Sequence, residues 1–177
     1  MEIEKIKEER HALLERMRDS LQEELVAAEI VEPEKENEPE ILTAVLSGIG
    51  EAGEMEGAYG EFFFVPVVSG EDAIQHFSAV ITLLDDLDRE KLPMLFEAMS
   101  YINFSQPCGS YCVDRDAAYL CYKMTVPLPS ELSGDALFEE MNICMANAAT
   151  AADLYADLLI RIASGEGSLD EIPPSAE

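Results

Sequence analysis

A β-hairpin pattern between residues 109 and 128 constrains the fold of this chain more than any other feature. Residues 109–114 and 117–128 flank an Asp-Arg-Asp turn, and both segments alternate side chains between two faces. Pairing Asp114 with Ala117 places the more apolar set on one face, namely Tyr111, Val113, Ala118, Leu120, Tyr122, Met124 and Val126. The pattern therefore predicts two antiparallel strands with one face in a hydrophobic core.

Helical and strand periodicities alternate along the rest of the chain. Apolar residues recur at helical spacing over 2–29, from about 92 to 101, and over about 135–163. Short apolar or alternating runs predict further strands at 41–46, 61–68 and 77–84. We therefore expect an α+β fold in which an antiparallel sheet carries helices packed on one face, with the element order α-βββ-α-ββ-α.

The length of the chain, 177 residues, fits a single domain with its own core. Within that domain the sequence predicts four segments. They are an N-terminal amphipathic helix at 1–30, an acidic proline-containing linker at 31–40, an α+β body at 41–165, and a tail at 166–177. The tail contains two consecutive prolines and is expected to fray.

The chain is strongly acidic, with 37 Asp and Glu residues against 11 Lys and Arg and a formal net charge of −26. This charge argues against nucleic acid as a partner, because nucleic-acid binders present Lys and Arg to phosphates. It argues against anionic membrane surfaces for the same reason. Two interpretations of the acidity stay open: a device for solubility, or electrostatic steering of a basic protein partner.

The sequence also favours a cytoplasmic location without a membrane partner. No apolar run approaches the roughly 20 residues that are needed to span a bilayer. The N-terminus has no apolar stretch after a basic start, so no signal peptide is predicted.

Little in the sequence indicates catalysis. The four cysteines, at positions 108, 112, 121 and 144, match no usual zinc spacing. Disulfides are not expected in a cytosolic protein, and His11 and His76 lie in no recognisable motif. We therefore predict no catalytic residue, no metal site and no cofactor. One alternative stays open, a cysteine-dependent enzyme that uses Cys112 or Cys121.

The strand predicted at Glu61–Val68 is apolar on both faces. One face carries Phe63, Val65 and Val67, and the other carries Phe62, Phe64 and Val68. One set must enter the core, and the other is a protein-binding surface if it faces water. We predict Phe62, Phe64 and Val68 as the binding residues, unless the first helix or a second copy covers them. Pro66 within this strand indicates an edge position or a bulge.

Three segments of the chain together resemble the bacterial YbjN-like proteins. They are Leu95–Asn103, which ends in Ile102-Asn103, then Gly109–Asp114, and then Tyr119–Val126, which a long helix follows. The resemblance extends from about Phe77 to Ala163. It implies a fold like that of type III secretion chaperones, and a non-enzymatic adaptor or chaperone-like role in a protein that often dimerises.

From the residues and this resemblance we expect a non-enzymatic protein-binding module, chaperone- or adaptor-like, whose partner is an unidentified protein of basic character. The last helix has a broader apolar face than one sheet surface can cover, which favours a homodimer. The remaining alternative is a structural acidic protein without a specific partner.

Overall fold

The computed structural model describes residues 3–35, 38–50, 57–66 and 74–173. The elements within these residues, in chain order, are α1 (Ile3–Glu23), β1 (Ala28–Val31), β2 (Ile41–Leu46), β3 (Ala58–Phe64), β4 (Ile74–Leu84), α2 (Leu92–Ser105), β5 (Ser110–Asp114), β6 (Tyr119–Pro129), α3 (Gly134–Asp153), α4 (Ala156–Ser164) and a short 3₁₀ helix (Leu169–Glu171). The predicted α+β class is confirmed.

The six strands form one antiparallel sheet in the order β1-β2-β3-β4-β6-β5. This order of elements matches the prediction with three additions. Residues 28–31 form an edge strand where the sequence predicts the end of the first helix and the start of the linker, the last predicted helix breaks into α3 and α4, and a 3₁₀ helix forms in the predicted tail. The edge position inferred from Pro66 is wrong, because β3 is an interior strand that ends at Phe64. The proline lies beyond the ladder and removes no ladder bond.

The chain divides into two compact units. The first unit comprises residues 1–45, 60–79 and 125–147, and the second comprises 46–59, 80–124 and 148–177. Strands β2, β3, β4 and β6 and helix α3 contribute residues to both units.

The core of the first unit contains one face of its strands and the apolar stripe of α1. The stripe is buried at Leu13, Leu14, Met17 and Leu21. The buried apolar strand residues alternate along the chain, at Leu42 and Ala44, at Phe62 and Phe64, and at Phe77 and Ala79, and the small polar residues Thr43 and Ser78 between them are buried as well. Because successive strand residues point to opposite faces, this alternation identifies a single core-facing side of the sheet in this unit.

Helix α1 ends earlier than its apolar stripe predicts. The Val26 N–H donates to Leu21 O at 3.0 Å, and the Leu25 N–H donates to Gln22 O at 3.1 Å, which is the Schellman pattern. Leu25 occupies the left-handed position of this cap with φ of 64°. Its side chain, which the sequence places on the buried stripe, is instead 94% exposed. The cap turns the chain directly into β1.

The β5–β6 hairpin is paired two residues further along than the sequence predicts. Asp114 lies opposite Tyr119 rather than opposite Ala117. The longer loop forms because the Asp114 carboxylate accepts the backbone N–H groups of the second and third residues after it, at 2.9 and 2.8 Å. A shift of two residues preserves the side-chain faces, so Leu120 is buried as predicted.

In the second unit, Tyr111 reaches from β5 to the break between α3 and α4. Its hydroxyl lies 2.8 Å from Ala151 O and 3.0 Å from Ala152 O, and it accepts the Tyr155 N–H at 3.1 Å. Its ring packs edge-on against Tyr122 with centroids 5.1 Å apart. The hydroxyl thus satisfies backbone groups that a helix break leaves without intrahelical partners.

The break also changes which residues of the last helix are buried. The sequence predicts Leu158 on the buried stripe, but the structure leaves it half-buried and buries Leu159 instead. The continuous helical period of the prediction does not hold across a bend of 46°. Ile162 is buried, as predicted.

Part of the predicted frayed tail is structured. The Ser168 N–H donates to the Glu171 carboxylate at 2.9 Å, and the two residues form a capping box around the 3₁₀ helix. Arg161 pairs with Glu171 at 2.8 Å. The structure describes this tail as far as Pro173.

Candidate interaction surface

The aromatic residues predicted to bind a partner lie in the core. Phe62 is 0% exposed and Phe64 is 4% exposed, and the Phe64 ring packs against Phe77 with centroids 5.1 Å apart. The guanidinium of Arg10 lies over Phe64 at 4.7 Å. Val68 lies outside the described residues. The prediction of an open site at Phe62 and Phe64 is therefore wrong, because this set of β3 faces the buried side of the sheet.

The opposite side of the sheet is apolar and accessible in the first unit. Four apolar side chains there are 39% to 52% exposed, namely Val31, Val45, Val65 and Ile74. Ile41 and Phe63 are half-buried on the same strands. We call these six residues the apolar belt. The sequence contains a signal for it, because Phe63 and Val65 are the second apolar set of the predicted strand.

Strand pairing brings the members of the belt together. Val31 and Ile41 are directly opposed on β1 and β2. The Val65 N–H, just beyond β3, donates to His76 O of β4 at 2.9 Å. Strand β3 lies between β2 and β4 in the sheet, so the belt extends across four adjacent strands. A surface built on paired strands is held rigidly by the ladder.

Two small polar residues interrupt the belt without leaving unsatisfied groups. The Thr43 hydroxyl donates to Glu29 O at 3.3 Å, and the Ser78 hydroxyl pairs with the Thr125 hydroxyl at 2.8 Å. Both Thr43 and Ser78 are buried. Both hydroxyl groups make their hydrogen bonds within the sheet. A partner that covers this face would therefore not leave them without hydrogen-bond partners.

The charged side chains that β1 to β4 place on the belt face in this unit are acidic, and the nearest described cation is Arg10 of α1, which donates to Val65 O at 3.1 Å. Glu61 lies on the same face of β3 as Phe63, and burial raises the pKa of its carboxyl. Glu29 is exposed on the edge strand, on the same face as Val31. The described parts of β1 to β4 in this unit contain no lysine or arginine. Glu29 and Glu61 therefore give the belt face of these strands an acidic rim.

His11 lies among carboxylates beside the β1–β2 connection. Its Nδ1 is 2.6 Å from Glu40 and its Nε2 is 3.5 Å from Glu15. The hydrogen bond with Glu40 is the main cause that raises the pKa of His11. Ligand-type atoms of His11, Glu32 and Glu40 lie within 4.8 Å of one another. Carboxylates exposed in this way commonly cluster without an ion, and no second feature of the described residues indicates one, so we assign no metal here.

The alternative catalytic residues are brought together by the hairpin. Cys112 of β5 and Cys121 of β6 lie directly opposite each other. Both belong to the second unit, whereas His11 and His76 belong to the first. This pairing is an arrangement that the sequence analysis missed, because it depends on the register of the hairpin.

Helix α2 presents an exposed aromatic surface that the sequence analysis also missed. Phe104 is 84% exposed and Tyr101 is 59% exposed, one helical turn apart. Phe96 lies on the same helix with the guanidinium of Arg115 at 6.0 Å from its ring. A sequence signal was available only for Tyr101 and Phe104, which lie off the apolar stripe of this helix, whereas the spacing places Phe96 on that stripe.

A scan against protein-family models finds no match for this chain, and a search of curated proteins finds none either. The resemblance to the YbjN-like proteins therefore stays a hypothesis. Among the described helices, none is by itself long and apolar enough to cross a membrane. Helices α3 and α4 meet that criterion only as a bent pair, by length and composition.

Proposed function

We propose that this protein is a non-enzymatic binding module, chaperone- or adaptor-like, that holds an apolar segment of a protein partner on the apolar belt. The belt itself carries the proposal. When one face of an antiparallel sheet packs on a core, the other face is ordinarily polar. Here that second face keeps four apolar side chains exposed and two half-buried, interrupted by Thr43 and Ser78, and clusters of exposed apolar residues mark interaction sites.

The strand positions favour a helical partner segment over an extended one. Strands β2, β3 and β4 are interior, so their backbone groups are engaged by neighbouring strands. A partner that covers the belt on β2 to β4 must then be recognised through its side chains, since strand addition is open only at a sheet edge such as β1. An amphipathic helix with an apolar stripe offers such side chains in a compact form.

Charge favours a partner whose apolar stripe is flanked by Lys or Arg. The whole chain has a formal net charge of −26, and Glu29 and Glu61 lie on the belt face. Such a partner is attracted over a distance of about a Debye length, so association should weaken as salt rises. The same charge disfavours a second copy of this chain on the belt, because two acidic rims would repel each other.

The resemblance to YbjN-like proteins supports a role of this kind, because it implies an adaptor or chaperone-like function. The homodimer is a separate part of the proposal. Its support is the apolar breadth that the sequence predicts for a last helix, which the structure divides into α3 and α4, and it does not require the belt.

Two synthetic amphipathic helices test the proposal. They share one apolar stripe, but one carries Lys on its flanks and the other carries Glu. Fluorescence anisotropy is expected to show that the Lys peptide binds, that added salt weakens it, and that the Glu peptide binds far more weakly. Ile74→Ser and Val65→Ser should each weaken binding about fivefold, because each removes apolar area from the contact.

Leu154→Ser is the matched control, since Leu154 is also an exposed apolar residue but lies in the second unit. It should leave the affinity unchanged. Equal losses in the belt variants and in this control would contradict the assignment of the site. Failure of both peptides to bind would favour a structural protein without a specific partner. If light scattering shows a dimer and Ile74→Ser dissociates it, the occupant of the apolar belt is a second copy of this chain.

A further inference from the structure

Cys112 and Cys121 occupy the same rung of the β5–β6 hairpin. They are directly opposed in the antiparallel register. Directly opposed residues project to the same face, with Cβ atoms about 4.5–5.5 Å apart. The two thiols are therefore neighbours across the strands, although they are distant along the chain.

The hydrogen bonds of Asn103 identify the type of rung. The Asn103 side chain accepts the Tyr111 N–H at 2.8 Å and donates to Tyr111 O at 3.0 Å. The backbone groups of Tyr111 therefore point away from β6. Rung types alternate, so the next rung exchanges both backbone hydrogen bonds and has a Cα separation of about 5.5 Å. Disulfides most often span Cα distances of about 5.5–6 Å, so the Cα separation expected for this rung suits a disulfide, and only the Cβ atoms must move closer together to form one.

The two thiols differ in access. Cys112 is half-buried on the edge strand, whereas Cys121 is 5% exposed on the adjacent strand. The Cys112 Sγ lies 3.6 Å from Ser110 O and 3.5 Å from the Ser110 hydroxyl. A small oxidant therefore reaches Cys112 first, and Cys121 is placed to react with the product.

We propose that Cys112 and Cys121 form a reversible cross-strand disulfide, which makes this hairpin a site of oxidative modification by hydrogen peroxide. The Cys112 thiolate attacks one peroxide oxygen, the O–O bond breaks, and the sulfenic acid forms as hydroxide leaves. That hydroxide takes up the proton lost by the Cys112 thiol and becomes water. The Cys121 sulfur then attacks the sulfenic sulfur, the S–S bond forms, the S–O bond breaks, and a second water leaves with the Cys121 proton. Two thiols thereby transfer two electrons to one peroxide.

The geometry also makes the bond reversible. The Cβ separation of a directly opposed pair, about 4.5–5.5 Å, exceeds the 3.5–4.5 Å that a disulfide prefers. Closing the bond therefore strains the rung, and strained disulfides are reduced more readily. The modification does not depend on the proposed binding function, because both cysteines lie outside the apolar belt.

Peroxide treatment followed by peptide mapping tests this site. The reduced protein is treated with hydrogen peroxide, the remaining thiols are alkylated, and disulfide-linked peptides are mapped by mass spectrometry. The expected product is an intramolecular Cys112–Cys121 linkage that dithiothreitol removes. Phenylarsine oxide binds two thiols through one arsenic atom, so it should bind the reduced protein and prevent this linkage.

Cys112→Ser and Cys121→Ser should each abolish the linkage and the arsenical binding, with circular dichroism to confirm folding. Cys121→Ala replaces the second variant if serine unfolds the protein. Cys108→Ser is the matched control, since Cys108 is an exposed thiol outside the pair, and it should retain both reactions. A linkage through Cys108, a linkage between two chains, or sulfinic acid at Cys112 without a linkage would overturn the proposal.

Discussion

Replacing Tyr111 with Phe tests how the break between α3 and α4 is stabilised. The substitution removes only the hydroxyl and leaves the ring in place against Tyr122. That hydroxyl is shared by Ala151 O and Ala152 O, and it accepts the Tyr155 N–H. Tyr111 is a buried residue, so water has little access to the groups that lose their partner.

The magnitude follows from the hydrogen bonds that are lost. A hydroxyl has one proton, so it donates to one of the two carbonyls at a time and accepts one N–H. Two hydrogen bonds therefore disappear, each with a net contribution of about 1 kcal/mol, and each buried group left unsatisfied costs about 1–3 kcal/mol. The substitution also removes the cost of burying the hydroxyl itself, which offsets part of this loss. We therefore expect the free energy of unfolding to fall by about 2–3 kcal/mol.

Urea titration followed by circular dichroism measures this loss, with the midpoint expected to fall at an unchanged slope. Tyr101→Phe is the matched control, because it removes the same atom from a tyrosine that is mostly exposed. This control should change the free energy of unfolding by less than about 0.5 kcal/mol. A loss of that small size in Tyr111→Phe would refute the reasoning, since the break would then be stable without the hydroxyl.

Three further substitutions test the backbone conformation and the electrostatics. Leu25→Gly should raise the free energy of unfolding by about 1 kcal/mol, because it relieves a left-handed conformation at an exposed residue; an unchanged or lower urea midpoint would contradict this account of the cap. Gly109→Ala should cost about 3 kcal/mol, because φ is +63° and the added Cβ would lie 2.8 Å from a backbone carbonyl oxygen. Its control is Gly48→Ala, because Gly48 has φ of +80° and no atom lies within 4 Å of the added Cβ. This control should cost only about 1 kcal/mol in the same titration. Equal costs for the two substitutions would argue against the close contact at Gly109. The pKa of His11 is raised above 6.5, mainly by its bond with Glu40, so its stabilising charge is fully present below that pH and is lost as pH rises through the raised value. The stability difference between the native protein and His11→Gln, measured between about pH 5 and 8, should therefore shrink as pH rises, and a constant difference would show that the ion pair contributes nothing.

The sequence by itself determined which side chains share a face. Strand alternation and helical spacing predict Leu120, Tyr122, Leu137, Met141 and Leu158 in the core, and all but Leu158, which follows the helix break, are buried. These patterns are predictable because the side-chain period of a strand or helix is a property of the local backbone. The same locality explains why the α+β class is confirmed although the hairpin register is shifted by two residues.

Only the tertiary structure decided which of two apolar faces is buried. Phe62 and Phe64 form as apolar a set as Phe63 and Val65, so alternation alone cannot decide which set is buried. Packing of the strand against the rest of its unit buries the first pair and leaves the second pair in the belt. The pairing of Cys112 with Cys121 likewise depends on how the hairpin loop closes. Burial arises from contacts between segments that are far apart in the chain, and the hairpin register arises from the hydrogen bonds of its loop. The side-chain period of one segment contains no information about either.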